Sequence, residues 1–296
     1  MGVDDWKFVA AAFAVQVGPF LLFTLWTAVP MPDRRVVEWF AAFGRLHPSG
    51  VPLVRDRLVR ARWHRRLGAL LGALALWAVG ARYGVLEAAN PPAESLWLLV
   101  LGYAGGAVVG ELRAVDEPRG TARQAELAPR TVSSYLAPWV LPTTAAIVAT
   151  SVAGTLAAAV WDSGTSGAEV AVRVAATLAA SGAAWWAARR VVRLPVRTPP
   201  GTDPYLDDAF RQYSVTTCLA AAGLGSLATS DLASLVFGLL GGWAAVTWTF
   251  AHYGVVIVLL QAMKQPVPWT FGPRIRSAWA TPSPVTPPGA GAPRST

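Results

Sequence analysis

Seven stretches of the chain, 8–29, 67–86, 95–112, 138–160, 168–189, 214–230 and 232–261, run almost without charge. A helix needs about 20 apolar residues to cross a hydrocarbon core roughly 30 Å thick, and six of the seven reach or approach that length. Lipid offers no partner for backbone N–H and C=O groups, so helix is the economical reading and an open sheet is excluded. Hydrophobic residues make up 54% of the sequence and charged residues only 14%, so little chain is left for a separate water-soluble domain. The fold class expected is all-α: a polytopic transmembrane bundle of about seven helices.

Connections alternate between short and long. Segments 87–94, 161–167 and the single residue Asp231 read as tight turns, whereas 30–66, 113–137 and 190–213 are longer, giving one leading helix followed by three hairpins. The long segments and the tail hold 22 of the 25 Lys and Arg, with Lys7, Arg82 and Arg173 on the other side. Adding the carboxylates gives +12 on one side and −4 on the other, which together make the formal +8. The positive-inside rule then places the N-terminus outside and the C-terminus in the cytoplasm. This topology explains the basic excess, and no nucleic-acid partner is expected. The start carries Asp4 and Asp5 where a leader would be basic, so 8–29 reads as a retained helix.

Residues 1–264 form the expected bundle, with interfacial helices in 30–66, 113–137 and 190–213. Val36, Phe40 and Phe43, and again Val54, Leu58 and Ala61, recur at helical spacing among arginines. Both segments read as helices lying on anionic lipids of the inner leaflet. Asp203 followed by Pro204 is a helix-start signal, which begins the sixth span about two turns below the membrane. The tail, 265–296, is rich in Pro, Gly, Ser and Thr and is expected to be largely disordered, above all after Trp279.

Gly102, Gly106 and Gly110 repeat every four residues along one helical face, as do Gly68 with Gly72 and Gly238 with Gly242. Such faces let backbones approach closely. Packing within the bundle is the preferred reading, and a homo-oligomer contact the alternative. Trp6, Trp26, Trp97, Trp139 and Trp161 fall near span ends as an aromatic belt, and the deeper Trp77, Trp243 and Trp248 read as core. Arg173 lies one turn after Glu169 and reads as an ion pair that snorkels to the interface.

Candidate intramembrane polar groups are Glu111, His252 and Gln16; the plainer reading is a carboxylate paired with a loop arginine for Glu111 and a hydrogen-bonded ring for His252. Cys218 is the only cysteine, so no disulfide within the chain and no zinc cluster is expected. Asp207 and Asp208 form an acidic pair on a cytoplasmic helix, yet a magnesium site would need further carboxylates. No G-x-S-x-G, H-E-x-x-H or Walker pattern is present, and a retinal Schiff base lacks its mid-span lysine, Lys264 lying at the inner end. No cofactor and no metal are expected.

One pattern remains: Gly110, Glu111, Leu112 and Arg113, then Pro118, Arg119 and Gly120, then Pro129, Arg130, Tyr135, Leu136, Ala137 and Pro138, together with Asp207, Asp208 and Arg211. These two segments resemble uncharacterised multi-pass membrane proteins of high-GC Gram-positive bacteria. The resemblance implies a bacterial plasma membrane and no particular chemistry. Three functions are weighed. The first is a non-enzymatic, transport-associated or permease-like subunit whose Arg119, Arg130, Asp207, Asp208 and Arg211 dock a cytoplasmic partner such as an export ATPase. The second is an autonomous transporter using Glu111, His252 or Gln16, with breaks at Pro19 and in the Gly-rich sixth span. The third is a lipid-modifying enzyme with magnesium on Asp207 and Asp208.

Overall fold

The structure is a computed structural model and describes residues 36, 38, 39, 42, 43, 50–83, 97–116, 130–161, 166–194, 204–230 and 242–280. Gln16 and Arg119, the expected span 8–29, and the turns at 87–94 and Asp231 lie outside the described residues. The described chain is helical, with no strand beyond one isolated bridge. Its helices are α1 Val51–Tyr83, α2 Trp97–Asp116, α3 Val132–Tyr135, α4 Val140–Trp161, α5 Gly167–Arg193, α6 Pro204–Thr229, α7 Gly242–Lys264 and α8 Pro273–Ala280.

Helix ends follow local chemistry. At the start of α5, Ser166 accepts a hydrogen bond from the Glu169 N–H at 3.2 Å, and the Glu169 carboxylate accepts one from Arg173 at 2.7 Å. Arg190 and Arg193 occupy its last turn, where cations suit the exposed carbonyls. Pro204 opens α6 at the position where its missing N–H costs nothing, with Asp207 in the first turn.

Among the described residues two helices, Val140–Val160 and Gly167–Arg193, are long and apolar enough to cross a membrane. Only 22% and 28% of their most apolar stretches are buried by the protein, so their apolar surfaces face outward. α6 is the opposite case. It packs against α2, α4, α5 and α7 and is buried on all sides from Ala209 to Ser226. A helix surrounded by protein has no need of an apolar surface, and most of its hydroxyls find partners, Thr217 excepted. Thr177 and Thr229 share a 2.5 Å bond between α5 and α6, and Ser181 and Ser226 another at 3.0 Å.

α1 and α2 make the most extensive helix contact, through glycine. A Cβ built on Gly68 would lie 2.7 Å from the Cα of Gly106, and one on Gly102 would lie 2.8 Å from the Cα of Gly72. The glycine face of α2 is thus filled by α1 of the same chain, and Gly110 extends it against the His64 side chain.

Two segments expected to lie flat on lipid are placed otherwise. Val36, Trp39 and Phe43 are buried in the core, and Val54, Leu58 and Ala61 belong to the first half of α1, which runs unbroken into the second apolar span. No Gly or Pro separates Val54 from Leu67, so nothing stops the helix. At 1.5 Å per residue α1 is about 50 Å long, well beyond a bilayer core.

The tail also differs as far as Ala280. Pro268–Thr270 forms a 3-10 turn, and Phe271 pairs antiparallel with Leu136. The Ala137 N–H donates to the Thr270 carbonyl at 2.8 Å and the Gly272 N–H to the Tyr135 carbonyl at 3.0 Å. Gly272 is required here, because a Cβ would meet the Ser134 carbonyl oxygen at 2.6 Å. Phe271 and Ile275 then enter the main core, and Trp139 stacks on Trp269 at 5.3 Å. Phe271, an aromatic anchor that a Pro-Gly-Ser reading of the tail leaves out, is fully buried, which is worth about 1.5–3 kcal/mol.

Candidate functional site

The segments rich in arginine converge at one end of the helices, and two polar clusters form there. The first is centred on Glu111, fully buried near the end of α2. Its Oε2 accepts from Arg57 at 3.0 Å and from the Ser214 hydroxyl at 2.8 Å, and its Oε1 lies 3.5 Å from Arg65. Arg57 also contacts Ser214 directly and lies over the Phe210 ring at 4.5 Å. Arg65 donates to the Tyr213 hydroxyl at 3.0 Å, and that hydroxyl donates to the Met263 carbonyl at 2.8 Å. α1, α2, α6 and α7 are thereby joined. Two buried guanidinium groups share one carboxylate, and the Nε atoms of Arg57 and Arg65 have no hydrogen-bond partner among the described residues.

The second cluster holds the acidic pair. Asp207 accepts from Arg211 at 2.7 Å and from Arg130 at 3.5 Å. Asp208 accepts from the Tyr135 hydroxyl at 2.8 Å and from Arg274 at 2.9 Å. Arg211 reaches on to the carbonyls of Val191 and Val192, which the end of α5 leaves without helical donors. The two carboxylates turn to different partners: both cations on Asp207 reach its Oδ2, and Asp208 is held by one guanidinium and one phenol. Among the described residues no three His, Cys, Asp or Glu side chains gather as metal ligands.

Burial and the neighbouring Asp208 carboxylate push the Tyr135 phenol above its ordinary pKa, although Arg274 and Arg130 act the other way. The neutral phenol is therefore the form the fold favours. Stability linked to it is complete below about pH 10, where the unfolded phenol titrates, and falls as the pH rises further. Tyr135→Phe is expected to cost about 1 kcal/mol at neutral pH and to flatten the loss between pH 9 and about 11. Melting of the purified protein across that range checks both; an equally steep alkaline loss in the variant would clear Tyr135 of the effect.

The residues picked from sequence thus fall into separate places. Glu111 joins Arg57 and Arg65, whereas Arg130, Asp207, Asp208 and Arg211 join one another. Arg211 is only 3% exposed, so it braces the fold from inside. His252 is half-buried on α7, eleven residues before Met263, or about 16 Å along the axis, and is not among Glu111's partners. Sequence reading missed Arg57, Arg65, Tyr213, Ser214 and Arg274. A signal existed for Arg65: it falls in line with Val54, Leu58, Ala61, Gly68 and Gly72 on the stripe that α1 buries. No comparable signal marks Arg274. In comparisons with protein-family models, curated proteins and solved structures, the chain matches none.

Proposed function

We propose that the chain is a multi-pass protein of a bacterial plasma membrane, with seven helices, the N-terminus outside and the C-terminus inside. It acts as a non-enzymatic, transport-associated or permease-like subunit whose basic inner end docks a cytoplasmic partner. The observation that carries this reading is the change of packing along the bundle. At the arginine-rich end the core is built of large aromatic rings, Trp39, Phe43, Tyr135, Phe210, Tyr213 and Phe271, as in a water-exposed domain. Farther along, contacts are made by Gly68, Gly72, Gly102 and Gly106, and by the hydroxyl pairs of α5 and α6. Water rewards burial of large apolar groups, whereas lipid rewards only close packing and hydrogen bonds. The two styles suit a protein with one end in the cytosol and the rest in lipid.

An end braced by the charge-assisted contacts of both clusters would be a rigid surface, and Arg113 and Arg276 stand exposed on it. Rigidity lowers the ordering cost of docking, and guanidinium groups favour an acidic partner. Arg130 and Arg211 contribute by holding the surface together. Purified from its host in mild detergent, the protein should carry one cytoplasmic protein in fixed ratio by mass spectrometry. Arg113→Glu with Arg276→Glu should lower that recovery several-fold with the melting temperature unchanged. Isolation as a single species, or unchanged recovery in the double variant, rejects the docking role.

A further inference from the structure

The lipid contact expected from sequence rested on apolar residues of 30–66, of which Val36, Phe43, Val54, Leu58 and Ala61 are buried by protein; a different surface has the right chemistry. Where α4 begins and α5 ends, a groove of about 350 Å³ is lined by Arg130, Arg189 and Arg193, by the hydroxyl-bearing Thr131 and Ser133, and by Trp185. Leu141 and Val192 complete its apolar wall, and no carboxylate lines it. Arg130 shares its charge with Asp207, but no carboxylate among the described residues pairs with Arg189 or Arg193, both exposed. A second groove of about 360 Å³ lies on the other side of the same turn, between Trp186, Arg190 and Leu194, and shares Arg189 and Arg193.

We infer that this paired groove holds the phosphate of an anionic phospholipid. Three observations select that occupant. The guanidinium groups of Arg189 and Arg190 lie 6.0 and 5.6 Å from the Trp185 and Trp186 rings, so the cations are held near the surface in place of extending into solvent. Trp185 and Trp186 are 39% and 56% exposed, the placement indole takes at headgroup level. Beyond the groove the outward faces of α4 and α5 continue as Leu156, Val172 and Leu178, each at least half exposed, a path for acyl chains. A phosphodiester at Arg189 and Arg193 accepts their N–H groups and the one free hydroxyl proton of the Thr131–Ser133 pair, whose oxygens lie 3.0 Å apart, and Leu141 meets the first carbons of the tail.

The inference rests on the reading that α4 and α5 face lipid, and it needs no docking partner. The test uses the purified full chain in detergent, titrated with dioleoylphosphatidylglycerol against dioleoylphosphatidylcholine and read by native mass spectrometry. The wild type should prefer the anionic lipid roughly ten-fold, given two surface arginines with no carboxylate partner among the described residues. Arg189→Gln with Arg193→Gln should bring the preference close to one, with melting unchanged. If that double variant does not purify, Arg193→Gln alone should lose about half of the preference on a logarithmic scale. Arg276→Gln, which removes the same charge elsewhere on this end, should keep it. No preference in the wild type, an unchanged preference in the Arg189 and Arg193 variants, or an equal loss in Arg276→Gln overturns the site. Displacement of the lipid by millimolar inorganic phosphate would assign the groove to a free anion and overturn the lipid. Because no partner protein is present, a failed docking experiment leaves these outcomes unaffected.

Discussion

Glu111→Ala is expected to destabilise the protein by about 3–5 kcal/mol, because it strands two buried guanidinium groups without a counter-charge. Typical domains are stable by only about 5–15 kcal/mol, so much of the margin is removed. At about 2–4 °C per kcal/mol the apparent Tm falls by roughly 6–20 °C. Glu111→Gln keeps the size and the Ser214 hydrogen bond yet removes the charge, and should cost nearly as much. Removing all three charges together, as Arg57→Met, Arg65→Met and Glu111→Leu, should recover most of the loss, since the penalty comes from unpaired burial and not from the absence of a pair. Melting of the three variants in one detergent decides the matter. A Glu111→Gln protein as stable as wild type would show that charge does not hold the cluster, and would reopen the intramembrane-site reading of that residue.

The second large effect belongs to the α1–α2 glycines. Gly102→Leu and Gly68→Leu each drive a side chain into the facing backbone, where no rotamer change relieves the overlap. Overpacking ordinarily costs about 1–3 kcal/mol, and a collision with backbone exceeds that range. Both variants should fail to yield a monodisperse protein. Gly105→Leu is the control on the same helix, since a Cβ there meets nothing within 4 Å. It should purify and melt like the wild type. Helix propensity alone favours Leu over Gly, so equal damage at Gly105 would mean that added bulk anywhere on α2, and not the α1 contact, was being measured.

The legible parts of the fold were those that local pattern determines. The Pro204 start of α6, the Glu169–Arg173 pair and the glycine faces follow from spacing of three or four residues along one helix. Apolar spans were legible as α2, α4 and α5 for the same reason, although only α4 and α5 pass as membrane helices on length and composition alone. What escaped depends on which helices are neighbours. Glu111 could be suspected of pairing with an arginine, but its partners Arg57 and Arg65 lie 54 and 46 residues away, and α6 had to be central before Ser214 and Tyr213 met them. The burial of Trp39 and Phe43 follows similarly from Phe210, Tyr213 and Phe271, none of them near in sequence. Amphipathic periodicity says that a face is covered and leaves open whether lipid or protein covers it.

Sidedness is the central claim, because docking, the lipid groove and the two packing styles all assume that the basic end is cytoplasmic. In a Cys218→Ser background, which removes the only cysteine, Gly167→Cys lies at the opposite end, where an added side chain meets nothing within 4 Å, and Arg276→Cys lies exposed on α8. Intact cells are treated with a membrane-impermeant maleimide, and permeabilised cells serve as reference. Cys introduced at 167 should be labelled in intact cells, and Cys introduced at 276 only after permeabilisation. The reverse pattern, or equal labelling of both sites in intact cells, would contradict an inward basic end and the functions built on it.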